Sequence, residues 1–141
     1  MDAGGYAAWA AAVTSAATLV VTTLVGGRRE QHRWARDALT DAFVAFLAAS
    51  WRHSDVARTG PPGDPAVRPG LAREYGEMRS QLTRLRLLTS DDVVATGERL
   101  LHLQRRVQEA ETPQVQSEAL EAVSEARMTV VAAAKKAMGL A

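Results

Sequence analysis

Between Asp2 and Arg28 the chain carries no charged residue. This stretch, residues 3–27, constrains the fold more than any other. A helix needs about 20 apolar residues, at about 1.5 Å of rise each, to cross a bilayer, and the stretch is long enough. Ala dominates it, and Thr14, Ser15, Thr18, Thr22 and Thr23 interrupt it. The apolar weight lies late, in Leu19, Val20, Val21, Leu24 and Val25. A helix satisfies Ser and Thr hydroxyls on its own carbonyls, so these residues are compatible with a span. Two readings follow: a transmembrane helix, or an Ala-rich helix buried in a soluble bundle.

The flanks favour the span. Tyr6 and Trp9 lie near one end, where amphipathic rings suit the headgroup level. Arg28, Arg29, Arg33 and Arg36 follow the other end, whereas only Met1 and Asp2 precede the stretch. Positive residues are retained on the cytoplasmic side. The expected location is therefore the cell membrane, with the N-terminus out and the remainder cytoplasmic. A cleaved signal peptide fits poorly, because its basic residues would precede the apolar run.

The remainder reads as helical throughout. Residues 28–57 form a juxtamembrane amphipathic helix, with Leu39, Ala42, Phe43, Phe46 and Ser50 recurring at three and four. Trp34, Val44, Leu47 and Trp51 widen or flank this stripe, and the two Trp are expected in the core or between packed helices. Gly26 and Gly27 are the weak point between this helix and the span. Residues 58–70 hold four of the five prolines and three glycines, and read as a mobile linker. Residues 71–141 are expected to form a helical bundle completed by the 28–57 helix.

The first bundle seam runs through Leu71, Tyr75, Met78, Leu82 and Leu85. Thr89-Ser90-Asp91-Asp92 caps the next helix, with acids against its dipole. Val93, Gly97, Leu100 and Val107 line one side of that helix, beside Val94, Leu101 and Leu103. Thr112-Pro113 starts the last helix, whose seam is Ala119, Val123, Ala126, Val130, Ala133 and Ala137. Gly139 is suited to end it. The expected fold is all-α: a transmembrane helix followed by a small hairpin or bundle of about three helices. No alternating strand-like run occurs.

Chemistry is sparse. The chain has no Cys, which excludes a disulfide framework and a thiol nucleophile. No phosphate-binding glycine loop, GxSxG or HExxH is present, and His32, His53 and His102 have no metal-ligand spacing. The formal net charge of +1 argues against bulk attraction to nucleic acid. Arg84, Arg86, Arg105 and Arg106 are interleaved with Glu74, Glu77, Glu98 and Glu109, as on a solvated face. No enzyme, cofactor, metal or small-molecule substrate is expected.

Two features rise above this background. Arg28, Arg29, His32, Arg33 and Arg36 form one helical stripe at the membrane edge, where each basic residue near anionic lipid contributes about 1 kcal/mol. The same stripe also serves as a topology signal. Gly4, Ala8, Ala12 and Ala16 are spaced by four, a pattern that lets membrane helices approach closely. It raises a homo-oligomer through the span as one expectation.

The run Arg28-Arg29-Glu30-Gln31-His32-Arg33-Trp34-Ala35-Arg36, followed by Ala42 to Ala49, resembles a group of uncharacterised small actinobacterial single-pass membrane proteins. The resemblance covers the first third of the chain and implies no activity and no functional residues. The leading expectation is a membrane-anchored helical module that binds another protein. The alternatives are a soluble all-helical interaction or regulatory protein and a phage-type membrane lysis or immunity protein.

Overall fold

A computed structural model describes residues 3–140, with side chains from Gly27 onward. The described residues form four α-helices and no strand. They are α1 (Ala3–Ala57), α2 (Arg68–Leu88), α3 (Asp91–Glu109) and α4 (Pro113–Ala137). The expected all-α class holds. Residues 28–57 are the later part of α1, which runs on through Gly26 and Gly27. A glycine inside a helix costs only about 1 kcal/mol relative to Ala, and no proline or polar cap accompanies Gly26 and Gly27 to stop the helix.

The chain divides after Arg36. From Asp37 onward α1 joins α2, α3 and α4 in a four-helix unit. Specific contacts fix its topology. Thr40 Oγ1 lies 3.2 Å from Met138 Sδ at one end, and Gln116 Nε2 donates to the Ala57 carbonyl at the other, so α4 runs antiparallel to α1. Arg52 meets Glu74, and Gly70 lies against Val56, so α2 is antiparallel to α1 as well. Ser50 meets Gln104, and His53 meets Gln108, so α3 runs parallel to α1. This is the up-down-up-down arrangement, with α1 and α3 on a diagonal.

The expected seams are largely those buried. Leu39, Ala42, Phe43, Phe46 and Ser50 of α1 are all buried, as are Leu71, Met78, Leu82 and Leu85 of α2. Tyr75 is half-buried. In α3 the buried line runs through Val94, not Val93, then Gly97, Leu100, Leu103, Gln104 and Val107. In α4, Ala119, Val123, Ala126 and Val130 are buried, but the line ends on Ala134, with Ala133 half-buried and Ala137 exposed. A 3.6-residue turn drifts against a strict seven-residue repeat, and the last turn shows that drift. Gly97 lets α2 and α3 approach closely: a Cβ there would lie 2.8 Å from Leu82 Cδ1 of α2, and 3.5 Å from Phe46 Cζ of α1.

The segment after α1 is shorter and more ordered than a mobile 58–70 linker. α2 begins at Arg68, with Pro69 in its first turn, where its missing N–H costs nothing. Between the helices, Asp64 N donates to the Pro61 carbonyl and Val67 N to the Asp64 carbonyl. Asp64 Oδ1 accepts from Ala66 N at 2.9 Å, and Gly63 supplies the positive φ. Ser90 is the N-cap residue of α3 without a side-chain bond, so the cap contribution there comes from Asp91 and Asp92 in the first turn. Thr112 caps α4 by accepting from Val115 N, and Gly139 ends it at a φ of 72°.

The two Trp expected in the core or between helices are on the surface instead. Trp34 is 70% exposed and Trp51 is 53% exposed. Trp34 precedes the four-helix unit, in a stretch of α1 exposed from Arg28 to Asp37, and Trp51 sits beside the buried stripe of α1 rather than in it.

Candidate functional site

The bundle core contains a polar layer that the seams pass through. Ser50 and Ser54 lie one turn apart on α1, with His53 between them, and all three are fully buried. Gln104 of α3 and Arg127 of α4 reach them from two other helices. Ser50 Oγ donates to Gln104 Oε1 at 2.6 Å. Gln104 Nε2 donates to His53 Nδ1 and to Ser54 Oγ, each at 3.0 Å. Arg127 Nε donates to Ser50 Oγ at 2.9 Å, and Arg127 Nη2 donates to Ser54 Oγ. The network assigns the imidazole tautomer. Nδ1 accepts, so Nε2 carries the proton and faces Gln108 Oε1 at 3.3 Å.

Arg127 is the unusual member. It is 4% exposed, yet no carboxylate among the described residues lies within 4 Å of its guanidinium. Its partners are two hydroxyls and the face of Trp51, whose ring centroid is 3.8 Å from Cζ. Burial pulls its pKa down, Arg58 adds to that, and Asp55 opposes it. A guanidinium stays charged in proteins, so the fold holds a nearly uncompensated cation just below its surface. By contrast, the buried carboxylate of Glu74 has two cations, Arg52 at 2.9 Å and Arg73 at 3.4 Å.

Above that cation lies a shallow groove of about 400 Å³ between α1 and α4. Leu47 and Trp51 form one wall, Met128 and Val131 the other, with Arg127 at the base and Lys135 at one end. Met128 is 72% exposed and Val131 is 38% exposed. With Val44, 63% exposed, they make an apolar strip along both helices. Contiguous exposed apolar surface rimmed by polar residues marks a site of contact with a protein, a membrane or a ligand.

The other residues singled out by sequence are not brought together. Arg28, Arg29, His32, Arg33 and Arg36 all lie exposed on α1, at spacings that keep them on one face. Gly4, Ala8, Ala12 and Ala16, and all of the 3–27 stretch except Gly27, lie outside the residues whose side chains are described. Among the described residues no helix is long and apolar enough to cross a membrane. His53 is buried while His32 and His102 are exposed, and no three described His, Asp or Glu side chains are placed to hold a metal. Arg86 pairs with Glu98 and Arg105 with Glu109, each at 2.8 Å on exposed surface.

The polar layer was missed as a unit, although its members carry a signal. Ser50, Gln104 and Arg127 fall in or beside the apolar seams of three different helices, and a polar residue in phase with a seam needs a partner from another helix.

The burial of His53 has a consequence in solution. Desolvation lowers its pKa below 6.5, aided by Arg127 and opposed by the Gln108 bond and by Glu74. The fold therefore favours the neutral ring. That contribution is fully present above the unfolded pKa, near 6.5, and is lost as pH falls toward the folded value, at up to about 1.4 kcal/mol per pH unit. The urea midpoint should fall between pH 7 and pH 5.5, and His53→Gln should flatten the dependence. A midpoint that rises on acidification would mean that the fold binds the imidazolium.

No protein-family model matches the chain, and no curated protein or solved structure matches it either.

Proposed function

We propose that the chain is a membrane-anchored helical interaction module with no chemistry of its own. In this reading residues 3–27 span the bilayer, and the four-helix unit presents the α1–α4 face to a protein partner on the cytoplasmic side. The anchor rests on the uncharged length of 3–27 and on the basic stripe Arg28, Arg29, His32, Arg33 and Arg36 that follows it. The stripe fixes orientation and also meets anionic headgroups, where each cation contributes about 1 kcal/mol.

The observation that carries the interaction reading is the groove of Leu47, Trp51, Met128 and Val131 over Arg127. Trp, Met and Arg are enriched at protein contacts, and large exposed side chains of this kind gain most from being covered. The buried cation favours a partner with acidic character near its apolar contact. A photo-crosslinking amino acid at position 128 tests this in cells. Adducts with protein should form there and not at position 87, an exposed leucine on α2. Equal labelling at both positions, or none at either, would count against the face.

A further inference from the structure

We propose that the polar layer holds one cation at a time: when His53 takes up a proton, the guanidinium of Arg127 leaves the layer and swings into the α1–α4 groove. The switch belongs to the bundle itself and does not depend on what the groove binds.

At neutral pH the layer holds one charge, on Arg127, and one neutral ring. The two are joined through shared partners. Ser54 Oγ accepts from both Arg127 and Gln104, and the same Gln104 Nε2 donates to His53 Nδ1. A proton on Nδ1 removes that acceptor. The amide of Gln104 can turn over and offer Oε1 instead, so this bond can re-form. The added charge is harder to absorb. Around the ring, α2 brings Glu74 and the Tyr75 phenol, α3 brings the neutral amides of Gln104 and Gln108, and α4 brings Arg127. On α1 itself Arg52 is bound to Glu74, while Asp55 and Arg58 act on Arg127. Glu74 is the carboxylate that favours an imidazolium, and Arg52 and Arg73 already occupy it. Two like charges would then share one buried site, which raises the free energy of that state.

Of the two cations, Arg127 is the one placed to leave. His53 is fully buried on the inward face of α1, with a glutamine of α3 at each ring nitrogen, so moving it requires α1 to turn. Arg127 forms the base of the groove, under the exposed ring of Trp51. Rotation about its own side-chain bonds carries the guanidinium into water while the alkyl stem stays along the groove, and no helix moves. Ser50 and Ser54 each keep Gln104 as a partner. With Arg127 outside, the ring binds its proton more tightly. By linkage the outward form then gains on the inward one as pH falls below 6.5, by up to about tenfold per pH unit.

The emission of Trp51 reads the switch, because the guanidinium lies 3.8 Å from its ring centroid. In the full chain carrying Trp9→Phe and Trp34→Phe, Trp51 is the one Trp left. Its emission should change reversibly on acidification, with a midpoint below pH 6.5, while circular dichroism holds level. The change should be absent in His53→Gln, which has no ring to protonate. It should also be absent in Arg127→Met, where His53 still titrates but no cation leaves Trp51. The NMR signal of the Arg127 Nε–H reads the same event in the wild type, and decides if either variant fails to fold: it should move on acidification toward the signals of exposed arginines. A flat emission and an unmoved Nε–H down to about pH 5 would overturn the proposal, as would an emission change that persists in either folded variant. Loss of dichroism in step with the emission would overturn it too, since acid would then be unfolding the bundle instead of moving one side chain.

Discussion

Replacing Gln104 by leucine is expected to destabilise the four-helix unit by about 3 kcal/mol, although leucine fills nearly the same space. Gln104 is fully buried and bonds Ser50, His53 and Ser54 at once. Its loss leaves the Ser50 hydroxyl proton and the His53 Nδ1 lone pair without those partners, away from water, and each such group costs about 1–3 kcal/mol. Ser54 keeps Arg127, so it contributes less. The apolar gain from the leucine offsets only about 1–2 kcal/mol. The net effect is a large part of the 5–15 kcal/mol that typically holds a domain together, and at roughly 4–8 °C per kcal/mol the melting temperature should fall by more than about 10 °C. Circular dichroism melts at neutral pH read this directly. An unchanged melt would mean that the polar layer is hydrated or dispensable. Combining Gln104→Leu with Ser50→Ala should cost less than the two changes summed, because both act on one bond.

That layer also marks where the sequence stopped being legible. The apolar seams were readable because burial of a helix face imposes a period near 3.6 on the residues themselves. Leu39, Phe46, Met78, Leu82, Leu100, Val123 and Val130 all obey it. Caps were readable for the same local reason: Thr112 and Pro113 act within one turn of where they stand. The partnership of Ser50, Gln104 and Arg127 spans as many as 77 positions, and no local rule reports which helix faces which. Trp51 was misplaced for a related reason. Its apolar body suited a core stripe, but its position one step off the stripe turns its ring to the surface, where it covers Arg127. The 58–70 linker was overextended because Pro and Gly were taken as breakers alone. Pro69 instead lies in the first turn of α2, and Gly70 leaves room for Val56, whose Cγ1 would lie 3.0 Å from a Cβ at that position. The exposed face itself was half legible: Val44, Leu47 and Trp51 stood out as apolar flank, but α4's contribution of Met128 and Val131 needed the fold.

The second large effect concerns the anchor. Aspartate at Leu19, Val20 and Val21 together should move the protein out of the membrane. Each charge near mid-span costs about 3 kcal/mol on insertion scales, and three exceed what the Ala-rich remainder of the stretch recovers. The four-helix unit carries its own core from Leu39 onward, so the variant should leave the membrane folded rather than aggregated. The same comparison tests the account at its root, because the orientation and the role of the basic stripe both depend on a membrane-embedded N-terminus. The measurement is the distribution of the full chain after alkaline washing of cell membranes, wild type beside the Leu19→Asp, Val20→Asp, Val21→Asp variant. The account predicts wild type in the washed membranes and the variant in the supernatant. Wild type released by the wash, and monodisperse without detergent, would contradict it and leave residues 3–27 as part of a soluble helical protein.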